Sequence, residues 1–235
     1  MGLHEEIVSI GEKAVAASHK LALLSAKKKN FILEAMAEML ETNKDAIKKA
    51  NARDLEMARE SGLAAPMIER LELNDARIGA MAKGLREICA LKDPVGKIIR
   101  SWTRPNGLKI VKRRVPIGVI AIIYESRPNV TADAAGLCVK TANAVILRGG
   151  KEAINSNRAI AEAMREGGRR EGLPADAIQL VATTDREAVK ELVSLEGLVD
   201  LVMPRGGEQL IRAVMESAKV PVIKHYKGVC HIYVD

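Results

Sequence analysis

The sequence has few cysteines, few aromatic residues and no long apolar run. Three cysteines in 235 residues exclude a disulfide scaffold and indicate a reducing compartment. Aromatic residues make up 2% of the chain and do not alternate with basic stretches, which argues against recognition of RNA or single-stranded DNA by base stacking. No apolar stretch approaches the length of a membrane span, and the first residues do not resemble a secretory signal. We therefore expect a cytoplasmic protein without nucleic-acid or membrane partners.

The chain is basic, with 37 lysine and arginine residues against 30 aspartate and glutamate residues and a net charge of +7. A basic surface attracts nucleic acids, anionic membranes or phosphorylated small molecules. The longest basic runs, residues 27–29 and 112–114, are short, and we interpret both as solvated surface. The net charge is therefore the only feature that favours the hypothesis of nucleic-acid binding. The length and the 48% hydrophobic content are sufficient for a real core.

Residues 1–92 are predicted to be helical. Their apolar residues recur at helical spacing, and no segment has the pattern of a strand. Asn43 and Asn74 are predicted to cap the N-termini of two helices, and Gly62 is predicted to end the helix that starts at Asn43. We expect this region to be the helical part of a larger ligand-binding domain.

Residues 93–116 are predicted to form a β-hairpin. Two strand-like runs flank Asn106-Gly107, a dipeptide typical of tight hairpins because both residues tolerate a positive φ. A long hairpin ahead of the main sheet has little to pack on by itself. We expect it to be an arm that contacts another subunit.

Residues 117–235 alternate apolar, strand-like runs with helical segments. The predicted strands are short and rich in β-branched residues; they are 119–123, 144–147, 177–181, 199–203 and 220–223. The predicted helices fall between them, near 130–142, 152–171, 186–195 and 207–218. This alternation predicts right-handed crossovers and an α/β fold with a doubly wound, mainly parallel sheet. Ligands of such sheets bind at the carboxyl ends of the strands, so the loops after the strands are the candidate site.

Three of these loops carry polar residues or paired glycines. The first contains Glu125, Ser126, Arg127 and Asn129. The other two, which lie at strand-to-helix junctions, are Arg148-Gly149-Gly150 and Pro204-Arg205-Gly206-Gly207. Paired glycines let the backbone approach a ligand, the following helix offers free N–H groups, and arginine can bind phosphate in a bidentate manner. Two such turns on one sheet predict phosphate or dinucleotide binding, although neither the Rossmann nor the P-loop fingerprint occurs.

The cysteines and histidines indicate neither a nucleophile pair nor a metal site. Cys89 and Cys138 lie beside apolar residues on predicted helices and are interpreted as core residues. Cys230 precedes His231 on a predicted strand, where adjacent side chains face opposite sides and cannot pair. We interpret Cys230 as a core residue, with a nucleophilic role as the alternative. No histidine has zinc-ligand spacing, and no Gly-x-Ser-x-Gly motif of a serine hydrolase occurs.

Several segments together carry motifs specific to one family. The first is residues 115–131, which contain the run Tyr124-Glu125-Ser126-Arg127-Pro128-Asn129. The others are residues 142–150, 204–207 and 228–235, together with 70–75 and 91–96 in the helical region. The chain resembles the γ-glutamyl phosphate reductases, also called glutamate-5-semialdehyde dehydrogenases, of the aldehyde dehydrogenase superfamily. The resemblance implies reduction of γ-glutamyl phosphate by NADPH to glutamate 5-semialdehyde and phosphate, a step of proline biosynthesis. It also implies a dinucleotide bound on a doubly wound sheet that lacks Gly-x-Gly-x-x-Gly.

The resemblance also implies roles for the loop residues. The loop Arg148-Gly149-Gly150 would meet the adenosine ribose, where an arginine suits the 2′-phosphate of NADP(H), and Pro204-Arg205-Gly206-Gly207 would lie near the pyrophosphate. Asn129 would be the amide that stabilises the oxyanion. Glu125, Ser126 and Arg127 would line the same mouth, with Arg127 binding the substrate's phosphate or carboxylate. The alternative for Arg127 is a structural ion pair with Glu125 or another carboxylate.

In the family, the nucleophilic cysteine lies downstream of the last matched segment, and the sequence ends at Asp235. The resemblance therefore implies the cofactor-binding half of an enzyme, with the catalytic domain absent and the chain inactive alone. Family members would be homo-oligomers. A non-catalytic dinucleotide- or phosphate-binding module is the alternative from a different functional class.

Overall fold

The computed structural model describes residues 2–225 and Tyr233. The first part of the described chain is helical, as predicted. The helices are α1 (Leu3–Leu21), α2 (Ala26–Thr42), α3 (Lys44–Glu60), α4 (Ala65–Leu71) and α5 (Asp75–Ala90).

The three predicted helix boundaries are confirmed in position, and one of the two predicted side-chain caps forms. Asn74 Oδ1 accepts a hydrogen bond from the backbone N–H of Arg77 at 2.9 Å and so caps α5. Gly62 follows the end of α3 with φ of +70°, the left-handed conformation that glycine adopts without strain. The cap predicted at Asn43 is wrong, because its Nδ2 donates to the carbonyl of Met39 instead. Helices α2 and α3 follow each other so closely that Asn43 closes the first and lacks the extended backbone of an N-cap.

The predicted hairpin is confirmed as β1 (Ile98–Thr103) paired antiparallel with β2 (Lys109–Arg113). Its turn differs from the prediction, since Gly107 has φ of +86° and Asn106 keeps a negative φ. Pro105 explains the difference: its fixed φ favours a type I turn, which leaves only the following glycine left-handed. The two strands are exposed and form a sheet separate from the main one.

The main sheet is parallel and contains β3 (Val119–Tyr124), β4 (Ala144–Arg148), β5 (Ile178–Leu180) and β6 (Leu201–Arg205) in the order β5-β4-β3-β6. Both β3 and β4 are buried along their whole length, as their uninterrupted apolar sequences predict. The predicted last strand, 220–223, is reduced within the described residues to a single parallel bridge between Val202 and Val222.

Helices cover both faces of this sheet. They are α6 (Asn129–Lys140), α7 (Ile154–Arg170), α8 (Glu187–Val193) and α9 (Glu208–Ser217), with a 3₁₀ turn at Lys151–Ala153 before α7. Helices α1 and α8 pack on one face, α6 and α7 pack on the other, and α2 and α5 form a further layer over α6 and α7. The predicted doubly wound α/β fold is therefore confirmed. Among residues 2–225, none of the helices is both long enough and apolar enough to cross a membrane.

Candidate functional site

Three loops meet at the carboxyl edge of the sheet, because β4 and β6 are the two neighbours of β3. The chain runs outward from β3 through β4 to β5 and then returns to β6 on the other side of β3. The strand order therefore reverses between β3 and β6, which creates the crevice where doubly wound folds bind ligands. The β3–α6 loop lies between the two Arg-Gly-Gly turns.

The turn after β6 is open to solvent. Arg205, Gly206 and Gly207 are all exposed, and Gly207 is the N-cap residue of α9. The backbone N–H of Gly207 donates to Glu125 Oε2 at 2.8 Å. A carboxylate from the β3–α6 loop therefore occupies the N-terminus of α9, where free N–H groups and the helix dipole favour an anion.

The turn after β4 is closed. Arg148, Gly149 and Gly150 are all buried, and Arg148 is only 8% exposed. Its Nη1 donates to the carbonyl of Gly149 at 3.0 Å, and its Nη2 donates to the carbonyls of Thr184 and Asp185 at 3.1 Å each. Burial lowers the pKa of Arg148, but a guanidinium remains charged in proteins. Arg148 thus fastens the loop after β5 to the end of β4.

A second carboxylate holds the β3–α6 loop to the closed turn. Glu152 Oε1 accepts hydrogen bonds from the backbone N–H of Ser126 at 2.6 Å and from its hydroxyl at 2.7 Å. Ser126 is buried and has φ of +24°, an unfavourable value for a residue with a side chain. Because Glu152 binds both groups of Ser126, the carboxylate stabilises this backbone conformation. A Cβ on Gly150 would lie 2.1 Å from the same carboxylate, so a side chain there would displace Glu152 from this position.

A buried polar chain supports the loop from below. The hydroxyls of Tyr124 and Thr131 are 2.7 Å apart, and Thr131 Oγ1 donates to Asn157 Oδ1 at 3.0 Å. Since Asn157 Oδ1 can only accept, the Tyr124 hydroxyl must donate to Thr131. Burial raises the pKa of Tyr124 and so keeps this hydroxyl neutral and able to donate. The chain joins β3, α6 and α7 beneath the site.

Arg127 and Asn129 line a separate cavity of about 420 Å³ on the α5 side of the loop. Asn129 Nδ2 donates to Asp133 Oδ2 at 3.1 Å, one turn further along α6, which orients the amide and leaves its second hydrogen for a ligand. Burial raises the pKa of Asp133, and the bond from Asn129 partly offsets that effect. Arg127 forms no ion pair within residues 2–225, while the carboxylate of Glu125 binds Gly207 instead.

The structure therefore separates residues that the sequence grouped together. Glu125 lies at the turn after β6, Ser126 lies at the turn after β4, and only Arg127 and Asn129 share the cavity. Sequence reasoning missed Glu152 and Asp133. The four-residue separation of Asn129 and Asp133 was an available signal, because such pairs interact on a helix. The contact of Glu152 with Ser126 depends on tertiary packing and had no comparable local signal.

The described cysteines do not take part in the site. Cys138 is buried, and burial raises its pKa to about 12, as expected of an unreactive core thiol. Cys89 is half-buried, and burial also raises its pKa. The predictions for Cys230 and His231 lie outside the described residues. No group of three His, Cys, Asp or Glu side chains in the described part of the chain is arranged to hold a metal ion.

Comparison with known proteins agrees with the predicted resemblance. The aldehyde dehydrogenase family profile matches residues 2–229. The γ-glutamyl phosphate reductase of Desulfatibacillum aliphaticivorans is 51% identical over 100% of this chain, which covers 56% of that protein. The chain thus spans about half the length of the curated relatives that it matches.

Solved structures show the same relation. The crystal structure of γ-glutamyl phosphate reductase from Thermotoga maritima matches with a TM-score of 0.91 at 42% identity, over 92% of this chain and 52% of that one. The enzyme of the same name from Saccharomyces cerevisiae matches with a TM-score of 0.86 at 33% identity, over 94% of this chain and 56% of that one. The chain belongs to the aldehyde dehydrogenase family, and this fold implies a nicotinamide dinucleotide cofactor.

Proposed function

Because the chain belongs to the aldehyde dehydrogenase family, we propose that it supplies the NADP(H)-binding half of an oxidoreductase. The proposed reaction is reduction of γ-glutamyl phosphate to glutamate 5-semialdehyde and phosphate in proline biosynthesis. The names of the similar proteins support this substrate. When bound, the dinucleotide would supply the hydride, and the residues of this chain would bind and orient the two ligands.

The observation that carries the proposal is the Glu125 carboxylate on the N-terminus of α9, at the crevice between β3 and β6. The N–H of Gly207 binds that carboxylate at 2.8 Å in the structure and is the kind of donor that a cofactor pyrophosphate requires. Arg205 is exposed beside it and can supply a cation. A bound pyrophosphate would replace Glu125, so the open turn fits the cofactor.

The closed turn fits the adenosine end of the cofactor. Arg148 Nε is a buried donor that has no hydrogen-bond partner among the described residues. A buried donor left without a partner is costly, and a phosphate oxygen would remove that cost. The proposed preference for NADP(H) over NAD(H) rests on this arginine, and Gly149 and Gly150 would form the adjoining wall.

The cavity of Arg127 and Asn129 fits the substrate. The free hydrogen of the Asn129 amide can donate to an oxygen that becomes negative during acyl transfer, and Arg127 has no competing ion pair within residues 2–225. The hairpin β1–β2 exposes Ile98, Ile99 and Val111, which supports its proposed role in contacts between subunits.

Titration with NADPH and with NADH, followed by the fluorescence of the reduced nicotinamide, tests the cofactor proposal. We expect NADPH to bind more tightly than NADH, and we expect Arg205→Ala to weaken NADPH binding by about tenfold through loss of a charge-assisted contact. Arg104→Ala, at the exposed tip of the hairpin, is the matched control. Absence of NADPH binding, or equal binding by the Arg205 and Arg104 variants, would contradict the proposal.

A further inference from the structure

The cavity beside Asn129 is unusually rich in arginine. It lies between the α4–α5 region and the β3–α6 loop, with a volume of about 420 Å³. Arg70 and Arg77 from the helical region line it together with Arg127. Three guanidinium groups around one cavity repel each other unless an anion lies between them.

Arg77 is held in place by the end of helix α4. Its Nη1 donates to the carbonyl of Glu72 at 2.6 Å and also to the carbonyl of Glu69. These bonds fix the plane of the guanidinium against the last turn of α4. Its Nε and Nη2 make no hydrogen bond within the part of the chain that the structure describes, so two donor groups of an oriented arginine remain for a ligand.

Arg70 and Arg127 have no carboxylate partner within residues 2–225. Two acidic residues, Glu72 and Asp133, also line the cavity. Asp133 accepts a hydrogen bond from Asn129. Glu72 is exposed and forms no ion pair with the described residues. The cavity therefore presents three cations and two carboxylates, and Glu72 is the carboxylate that no described residue binds.

This set of charges matches the charged end of an α-amino acid. We propose that the cavity binds the α-carboxylate and α-ammonium groups of the substrate, with Arg70 and Arg77 binding the carboxylate and Glu72 binding the ammonium. Arg127 and Asn129, on the opposite rim, are then left for the acyl phosphate. The inference rests on the proposed function, because it assigns the second end of the same substrate.

Binding of L-glutamate and glutarate to the 235-residue chain tests this assignment, since glutarate lacks only the ammonium group. We expect L-glutamate to bind, measured by ligand-observed NMR or calorimetry, and Arg77→Gln to weaken binding at least about tenfold. Glu72→Gln is expected to weaken binding of L-glutamate but not of glutarate. Arg53→Gln, which removes an exposed arginine of α3 outside the cavity, is the control.

The Arg77→Gln variant also loses the bonds from Arg77 to α4, and that loss by itself can disturb the fold. Arg70→Gln is therefore the second test, because the Arg70 side chain forms no hydrogen bond within residues 2–225. Wild-type affinity in both arginine variants would overturn the assignment. Binding of inorganic phosphate without binding of L-glutamate would also overturn it. NADPH binding is measured in parallel. If the chain binds L-glutamate but not NADPH, only the proposed function is contradicted. If it binds NADPH but not L-glutamate, only the amino-acid subsite is contradicted.

Discussion

The two Arg-Gly-Gly turns have the same sequence and opposite environments. After β4, Arg148, Gly149 and Gly150 are buried, and the arginine is bonded to three backbone carbonyls. After β6, the corresponding arginine and glycines are exposed, and the N–H of the N-cap residue Gly207 binds a carboxylate from a neighbouring loop. One turn is therefore held by contacts within the protein, with Arg148 Nε left without a partner among the described residues, and the other is open to solvent.

The difference arises from what packs against each turn. The 3₁₀ turn at Lys151–Ala153 and the carbonyls of Thr184 and Asp185 enclose the turn after β4. The turn after β6 lies at the crevice between β3 and β6, where the covering group is the movable side chain of Glu125. A motif therefore indicates which contacts are possible, and tertiary packing decides whether a ligand or the protein makes them.

Alanine at one glycine of each turn should give the largest difference. A Cβ at Gly149 would lie 2.1 Å from Asn157 Nδ2 and 3.1 Å from Tyr124, whereas a Cβ at Gly207 would approach only Glu125, at 3.8 Å. We expect Gly149→Ala to lower the free energy of unfolding by about 2–3 kcal/mol and Gly207→Ala to change it by less than about 0.5 kcal/mol. Urea unfolding measures both, and equal losses would contradict the contrast between the turns.

Removal of the two arginines should have different effects on stability. Arg148→Ala leaves three carbonyls without their donor and should cost about 2 kcal/mol of unfolding free energy. Arg205→Ala should leave stability within about 0.5 kcal/mol and weaken NADPH binding instead. Thermal unfolding and NADPH titration of both variants check the prediction. A stable Arg148 variant would show that the closed turn does not depend on its arginine.

Loss of the Glu152 carboxylate should loosen the closed turn by a smaller amount. Glu152→Ala removes the acceptor for both groups of Ser126 and leaves its positive φ unsupported, so we expect a loss of about 1–2 kcal/mol. The control is Glu187→Ala, which breaks a surface ion pair with Lys190 and should cost less than about 0.5 kcal/mol. If the two variants melt alike in a thermal scan, Glu152 does not hold the loop.

Neutralisation of Glu125 should give the smallest effect, with opposite signs for stability and binding. Glu125→Gln weakens the interaction with the N-terminus of α9 and should cost less than about 1 kcal/mol of stability. The same change removes a negative charge that competes with the cofactor, so NADPH should bind about two- to fivefold more tightly. Weaker NADPH binding by this variant would mean that Glu125 assists the cofactor rather than giving way to it.

The sequence was sufficient to predict the main framework. The apolar, β-branched runs at β3 and β4 identified the central strands, because a strand buried on both faces requires such residues. Their boundaries were less well predicted. Tyr124, Pro204 and Arg205 were assigned to loops, whereas the structure places them at the ends of β3 and β6. Polar or proline residues at a strand end have no periodic signal that separates them from a loop.

The loops of the candidate site could be located from the sequence, but the contacts among their residues could not. The β3–α6 loop and both Arg-Gly-Gly turns could be selected because loops at carboxyl ends of parallel strands meet at one edge. Glu125 and Ser126 contact different turns because β3 has a different neighbour on each side in the sheet. The local sequence does not indicate this strand order. The approach of Arg77 to Arg127 joins residues 50 positions apart in the sequence, which no local pattern indicates.

The most direct test follows the backbone amides of the two turns during addition of NADP. In a chain labelled with ¹⁵N-glycine, the signals of Gly149, Gly150, Gly206 and Gly207 report on both turns in one titration. We predict saturable shifts that are largest at Gly206 and Gly207, as the cofactor phosphate replaces Glu125 at the N-terminus of α9. Unchanged Gly206 and Gly207 signals, at NADP concentrations that saturate binding, would contradict the assignment of the open turn as the anion site.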